Sequence, residues 1–312
     1  MASERMKERL QALKRGTRGA GGAGAARAGG TGAARPGARA PARANAAKRP
    51  AAARRAGSAG ASVARSEVHI EPVGVEVYLP GGEIDTAHGP LFLHERRRSE
   101  LDKFTARFLR RLDAARKRAL KLDLHEQLAK LLDDGLGKAL FLDLETAGLV
   151  QCPVFLTGVM VAGRNDWILR QYFARHYAEE KALIRATIDL LDERPNLVTF
   201  NGRSFDWPMI KTRAAYHRLK VPADPFHVDL LPHSRRHWRG HFENCRLQTL
   251  EWKVVGRRRM GDVPGSEIPG RYHRYVKNGD PYPLVPVFHH NMLDLVTMAD
   301  LLVEMLELEV GA

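Results

Sequence analysis

The chain has 312 residues and a formal net charge of +14, a length that accommodates one large domain or two small ones. It contains no run of 18 apolar residues and no apolar core of a secretory signal, which excludes a membrane-spanning helix and an export signal. Its two cysteines, Cys152 and Cys245, exclude a disulfide framework and a Cys-x-x-Cys zinc site. We therefore expect a reduced, cytoplasmic protein with no membrane partner.

The positive charge is concentrated in the first 65 residues. This segment has 15 Lys and Arg against two Glu, together with 22 Ala and 11 Gly and no aromatic residue. Such a composition buries too little apolar surface to offset the entropy of ordering, which predicts a disordered basic tail over residues 1–65. A basic arm favours phosphate backbones without sequence preference and leaves association with the nucleoid open. A merely solubilising extension is the alternative interpretation.

Residues 66–135 are predicted to form a leading segment with a β-hairpin and an amphipathic helix. Alternating valines over Val73–Val77 predict a strand, and Pro80-Gly81-Gly82 turns the chain toward a second one. Apolar residues then recur at helical spacing over Leu101–Leu132. This pattern predicts one long helix, or two helices broken near Lys121.

Residues 136–312 are predicted to form one α/β domain. Three consecutive strand patterns precede alternating helices and strands, which indicates a mixed central sheet flanked by helices. The predicted strands are Ala139–Glu145, Val154–Val161, Trp167–Phe173, Leu197–Phe200 and Phe226–Leu230. The predicted helices are Ala178–Leu191, Phe205–Leu219 and Val287–Leu306, with a Gly/Pro loop over Gly261–Gly270.

Two acidic residues, Asp143 and Glu145, lie two positions apart on the first of these strands, so both side chains point to one face of the sheet. Two such carboxylates repel each other and lose hydration unless a cation lies between them. Asp-x-Glu alone is a weak signal. Apolar residues on both sides and the turn at Gly148 strengthen the prediction of a metal site.

Later acidic and histidine residues extend this candidate site. Asp206 begins a helix after a central strand, at the edge where open α/β sheets form their sites, although an acid there also suits the helix dipole. His290 and Asp294 are four positions apart on the last helix and share one face. His289 lies five positions before Asp294, so spacing leaves the choice between the histidines open.

This ordered set of carboxylates resembles the DEDD superfamily of RNase H-like 3′–5′ exonucleases and, more narrowly, its YprB-type branch. The resemblance covers about residues 70–305 and excludes the tail. It is carried by Phe141-Leu142-Asp143-Leu144-Glu145-Thr146, Phe200-Asn201-Gly202-Arg203-Ser204-Phe205-Asp206-Trp207-Pro208, Cys245-Arg246-Leu247-Gln248-Thr249-Leu250-Glu251, Asp262-Val263-Pro264-Gly265-Ser266-Glu267-Ile268-Pro269 and His290-Asn291-Met292-Leu293-Asp294.

The resemblance implies a ribonuclease H-like α/β fold that hydrolyses phosphodiester bonds with two divalent metal ions, Mg²⁺ or Mn²⁺. It implies that Asp143 bridges the two ions and that Glu145 and Asp294 complete the first. Asp206 would reach the second ion, directly or through water. Carboxylate oxygens are the hard ligands that these ions prefer.

The resemblance also implies a histidine as the general base that deprotonates the attacking water. Superfamily members place either a His five positions before the last Asp or a Tyr four positions before it. This chain has histidines at both positions. The His-Asn-x-x-Asp pattern favours His290, and His289 is the alternative.

Other residues are candidates for contacting nucleic acid or metal. A basic and aromatic surface is predicted to follow a single strand by charge and stacking, with an ordinary solvated helix face as the alternative. The candidate nucleic-acid-binding residues are Asn201, Arg203, Arg235, Arg236, Trp238 and Arg239. Four residues that can bind zinc recur at every fourth position: His233, His237, His241 and Cys245. Gly240 interrupts the helix that would align them, which disfavours a zinc site. Arg257–Arg259 is interpreted as a phosphate-contacting loop or a polar turn, and Glu267 as a further acid near the cleft.

We therefore predict a metal-dependent nuclease, with a 3′–5′ exonuclease favoured by the resemblance. The predicted partner is DNA or RNA, with a single-stranded 3′ end as the expected substrate. A structure-specific endonuclease and a non-catalytic nucleic-acid-binding module on the same fold are the alternatives.

Overall fold

The computed structural model describes residues 74–148, 151–220 and 223–311. A seven-stranded mixed sheet lies at the centre of this part of the chain, with strand order β1-β2-β5-β4-β3-β6-β7. The strands are β1 (Gly81–Thr86), β2 (Gly89–Arg97), β3 (Ala139–Thr146), β4 (Val154–Ala162), β5 (Trp167–Phe173), β6 (Asn196–Thr199) and β7 (Phe226–Asp229). The tail predicted over residues 1–65 lies outside the described residues, as does Val73.

Helices pack on both faces of the sheet. They are α1 (Arg98–Leu101), α2 (Thr105–Ala119), α3 (Glu126–Asp133), α4 (Glu180–Glu193), α5 (Asp206–Tyr216), α6 (Leu230–Trp238), α7 (Leu247–Leu250), α8 (Ile268–Asn278) and α9 (Val285–Val310). A π-helical turn, Glu251–Val255, follows α7 directly. Within the described ranges, no helix is long and apolar enough to cross a membrane. The predicted α/β fold, a mixed sheet flanked by helices, is confirmed.

Strand β3 divides its side chains between two apolar cores. Leu140 and Leu142 belong to the core that contains α4 and α5, whereas Phe141 packs in the core built around α9. Because side chains alternate along a strand, Asp143 and Glu145 continue the Phe141 face toward α9. The alternation therefore brings both acids to the helix that carries the last predicted acid.

The carboxyl ends of three strands meet at one edge of the sheet. β3 pairs in parallel with β6, and β6 pairs in parallel with β7, whereas β4 runs antiparallel to β3. The short connection from β6 to α5 delivers Asp206, the first residue of α5, to this edge. Open α/β sheets commonly form their sites at such an edge.

The structure corrects some expectations in the leading segment. Val75–Val77 is a 3₁₀ turn and not a strand, because Val75 and Leu79, four positions apart, both enter the core. The hairpin is formed instead by β1 and β2, and β2 pairs with β5, which extends the same sheet. The periodic stretch over Leu101–Leu132 is broken near Lys121 into α2 and α3, which was the second of the two predicted forms.

Candidate active site

Asp143 and Glu145 lie half-buried on β3, facing α9. Burial raises the pKa of Asp143 well above its ordinary value, and the nearby charges of Asp294, Glu145 and Asp206 raise it further. Burial likewise raises the pKa of Glu145, again with a contribution from Asp294 and Asp206. The carboxylates predicted from the sequence are therefore close enough to repel one another.

A buried amide from α9 holds Asp143 in place. Asn291 is fully buried, and its Nδ2 donates to Asp143 Oδ2 at 2.8 Å, while its Oδ1 accepts from Gln171 Nε2 at 2.8 Å. Gly158 on β4 lies opposite Asp143, and a Cβ there would overlap the Asn291 side chain. Gly158 thus provides the space that lets Asn291 reach the strand.

Asp206 joins the site from the other side of the β3 edge. It is only 5% exposed, and its Oδ1 accepts from the backbone N–H of Leu144 at 3.2 Å. Burial raises the pKa of Asp206 to about 7. The loop before it is held by Asp229, which accepts from the backbone N–H groups of Asn201 and Arg203 at 2.8 and 3.1 Å.

Asp294 on α9 shares its charge with an arginine. Arg259 Nη2 donates to Asp294 Oδ1, and the same guanidinium donates through Nη1 to Asp262 Oδ2 at 3.2 Å. Arg259 also pairs with Glu251, which is 1% exposed. One cation therefore connects three acids at this end of the site.

The two candidate histidines have different surroundings. His290 is buried, its Nδ1 lies 2.8 Å from Asp262 Oδ1, and its Nε2 lies 3.4 Å from Asp294 Oδ2. When Asp262 accepts from Nδ1–H, Nε2 is left free to accept a proton. His289 is exposed at the edge of the site, and partial loss of hydration beside neighbouring residues lowers its pKa. Its proximity to Asp262 and Arg259 places it beside the same cluster.

The donor set fits a divalent cation. Its acids are hard oxygen ligands, and their mutual repulsion is the condition that a divalent ion relieves. Within residues 74–148, 151–220 and 223–311, no group of three or more His, Cys, Asp or Glu is already arranged around a metal-sized point. Asp143 is instead oriented by Asn291, and Asp294 by Arg259.

The predicted nucleic-acid surface is wrong at its aromatic residue. Trp238 is 1% exposed and packs in the α9 core, so it offers no face for stacking. Arg236 pairs with Glu309 at 3.0 Å, whereas Arg235 and Arg239 line a cavity of about 380 Å³ with Phe242 and neighbouring residues. Arg235 and Arg239 are both exposed to solvent.

The remaining candidates are Asn201 and Arg203, the possible zinc ligands between His233 and Cys245, and Glu267. Asn201 and Arg203 are exposed beside Asp206, although Arg203 Nη2 also donates to the carbonyl of His227 at 2.6 Å. Helix α6 ends at Trp238, so His241 and Cys245 do not lie on the same helix as His233 and His237. Glu267 pairs with Arg271 at 3.1 Å.

Three residues of the site, Asn291, Asp262 and Arg259, were named in the sequence motifs but were not predicted to orient the acids or the histidine. Asn291 is three positions before Asp294 on the same helix face, and this spacing is a signal that could have identified it. Asp262 and Arg259 lie in a loop, where no periodicity indicates the direction of a side chain.

Comparison with known proteins places this chain in a family. The family model that describes the RNase H superfamily matches residues 140–306, which is more than half of the chain. The chain therefore belongs to the RNase H superfamily. The members of that superfamily are usually phosphodiester hydrolases.

The comparison also includes individual proteins. The uncharacterized protein YprB of Bacillus subtilis (strain 168) is 34% identical over 170 residues, which are 53% of this chain and 41% of that protein. The predicted resemblance to the YprB-type, RNase H-like family is confirmed, while the chain spans less than half of that relative's length. A family B DNA polymerase from the hyperthermophilic archaeon Pyrobaculum calidifontis matches 52% of this chain and 24% of its own, at 17% identity and a TM-score of 0.43.

Proposed function

We propose that this chain is a metal-dependent nuclease that removes nucleotides from the 3′ end of a nucleic acid. The observation that supports it most strongly is the repulsion among the acids of the site. Burial raises the pKa values of Asp143, Glu145 and Asp206, and the charge of Asp294 raises all three further. Divalent cations bound between these carboxylates would relieve their repulsion, which favours a metal site at this position.

The proposed ligand roles are those that the family resemblance implies. Asp143 would be shared by two ions, Glu145 and Asp294 would complete the first, and Asp206 would hold the second. Mg²⁺ and Mn²⁺ suit this set because all its donors are carboxylate oxygens. Bound as a pair, such ions stabilise the attacking and leaving oxygens of an in-line displacement at phosphorus.

His290 is the proposed general base. Its Nε2 would take the proton of the attacking water as the new P–O bond forms and the bond to the 3′ oxygen of the preceding nucleotide breaks. Asp262 would hold the Nδ1–H tautomer through the 2.8 Å contact and stabilise the imidazolium that results. His289 is the alternative base because it lies exposed beside the same acids.

The test is a cleavage assay on the full chain with end-labelled single-stranded DNA and RNA, each as linear and circular molecules. We expect loss of the linear 3′ end with Mg²⁺ or Mn²⁺ and no loss with EDTA. Asp143→Asn should lower the rate by about 10³-fold, since several kcal/mol of transition-state stabilisation depend on the metals. Cuts in the circles would instead indicate an endonuclease, and tight binding without any cleavage would indicate a binding module.

A matched pair of variants tests the base. His290→Ala should lower the rate by about 10²–10⁴-fold, whereas His289→Ala should leave it within a few-fold of the wild type. The opposite ranking would transfer the role to His289. Both variants should still bind Mn²⁺, because neither removes a carboxylate.

A further inference from the structure

The segment from Glu251 to Met260 is closed on itself by ion pairs and is joined to the acid cluster through Arg259. Glu251 accepts from Arg257 Nη1 at 3.3 Å and from Arg259 Nε, and Arg259 continues to Asp294. Trp252 follows Glu251 directly in the π-helical turn. The backbone that carries this tryptophan is therefore held beside the candidate active site.

Side chains in the second half of the segment alternate between the protein interior and the solvent. Arg257 and Arg259 turn inward to acids, and Arg257 also donates to Thr297 at 3.2 Å. Arg258 and Met260 point outward and are exposed, Met260 by 92%. The run of three arginines predicted as a phosphate loop or a polar turn thus divides into two structural cations and one exposed cation.

Two positively charged side chains lie close to the exposed indole of Trp252. Trp252 is 48% exposed, Lys253 Nζ lies 3.7 Å from its ring centroid, and Arg258 Cζ lies 5.5 Å from it. Neither Lys253 nor Arg258 pairs with an acid within the described ranges of the chain. An aromatic face and two uncompensated positive charges therefore lie together on the surface.

We propose that Trp252, Lys253 and Arg258 form the surface that binds a single-stranded nucleic acid next to the acid cluster. The indole would stack on one base, and the two cations would contact neighbouring phosphates. A single strand fits because its bases present free faces, whereas the bases of a duplex are already stacked. Stacking accepts any base, so this surface would hold the strand without reading its sequence.

This inference rests on the proposed nuclease function and specifies the substrate that reaches the site. It also assigns the stacking role to Trp252, since Trp238 is buried in the core. Tyr216 on α5 provides a matched control away from this segment. It is 68% exposed, and Arg213 Cζ lies 4.1 Å from its ring centroid.

The experiment measures binding of fluorescein-labelled oligothymidylate and oligouridylate to the full chain by fluorescence anisotropy, in EDTA so that no strand is cut. Trp252→Ala should raise the Kd for both by about 5- to 150-fold, and Trp252→Phe should restore most of the affinity. Tyr216→Ala should leave both values unchanged. Lys253→Gln and Arg258→Gln should each reduce the slope of log K against log salt by about 0.7.

Unchanged Kd values in Trp252→Ala for both oligonucleotides would overturn the proposal. An equal loss of affinity for an oligothymidylate–oligoadenylate duplex would overturn it as well, because stacking on a free base predicts a smaller effect there. The binding assay needs no hydrolysis. A wild type that cleaves while Trp252→Ala binds normally would refute only this surface, and one that binds as expected but cleaves nothing would refute only the nuclease.

Discussion

Two groups of buried carboxylates lie on opposite faces of the sheet and have different surroundings. Glu180 at the start of α4 is 1% exposed and accepts from Arg213 Nε at 2.6 Å, His217 Nε2 at 2.8 Å and the backbone N–H of Val154 at 2.8 Å. On the α9 face, Asp143 has the neutral Asn291 as its side-chain partner and several acids around it.

The two groups differ in whether side chains of the protein balance their negative charge. The negative charge of Glu180 is balanced by residues of the protein itself, so this cluster is complete within the fold. The α9 acids are only partly balanced, since Arg259 reaches Asp294 but neither Asp143 nor Glu145. Where side chains of the protein do not balance the negative charge of neighbouring acids, a bound cation can balance it.

The largest effect that tests this comparison is expected at Arg213. Replacing Arg213 with Met leaves Glu180 as a buried charge without its main partner, which should lower the free energy of unfolding by about 3–5 kcal/mol. The measurement is equilibrium unfolding in urea. Arg185→Met is the control, because its pair with Asp189 is exposed and should contribute about 0–1 kcal/mol. Equal losses in the two variants would contradict the structural role of the Glu180 cluster.

The next effect is expected at Asn291. Asn291→Asp keeps an oxygen for Gln171 but replaces the donor to Asp143 with a repelling acceptor. We expect cleavage to fall by about 10- to 100-fold, as is usual when a partner that orients a ligand is lost. Asn278→Asp makes the same chemical change at an exposed position and should leave the rate unchanged. A fully active Asn291→Asp protein would show that Asp143 does not need this contact.

The smallest effect concerns stability at the unbalanced acids. In EDTA at pH 7, Asp143→Asn should raise the free energy of unfolding by about 1 kcal/mol. The sign follows from the raised pKa of Asp143, since the folded state penalises its ionised form and the neutral amide removes that penalty. Asp189→Asn at the exposed pair should change stability by less than about 0.5 kcal/mol. A destabilised Asp143→Asn protein would mean that the carboxylate is balanced in the fold.

Much of the fold could be predicted because polar turns separate strongly patterned segments. β5 has the predicted bounds, Trp167–Phe173, since the turn at 163–166 precedes it. The Val75–Val77 turn was mispredicted because three alternating valines fit a strand as well as they fit a turn. Only the packing of Val75 with the rest of its cluster distinguishes the two.

The acid residues were predictable because strand alternation and helical spacing are local patterns. The contacts that orient these acids were not predictable, since Asn291 and Asp143 are 148 residues apart, and Arg259 and Asp294 are 35 apart. Trp238 and Trp252 both lie near basic residues in the sequence. Trp238 is buried because it shares a helical stripe with Leu230 and Ser234, whereas Trp252 lies in a π-helical turn that exposes it.

The most direct test of the central claim is a calorimetric titration of Mn²⁺ into the full chain, with Asp143→Asn measured in parallel. The claim that these acids form a divalent metal site predicts saturable binding to the wild type and much weaker binding to the variant. Absence of binding to the wild type, or equal binding to both proteins, would contradict it.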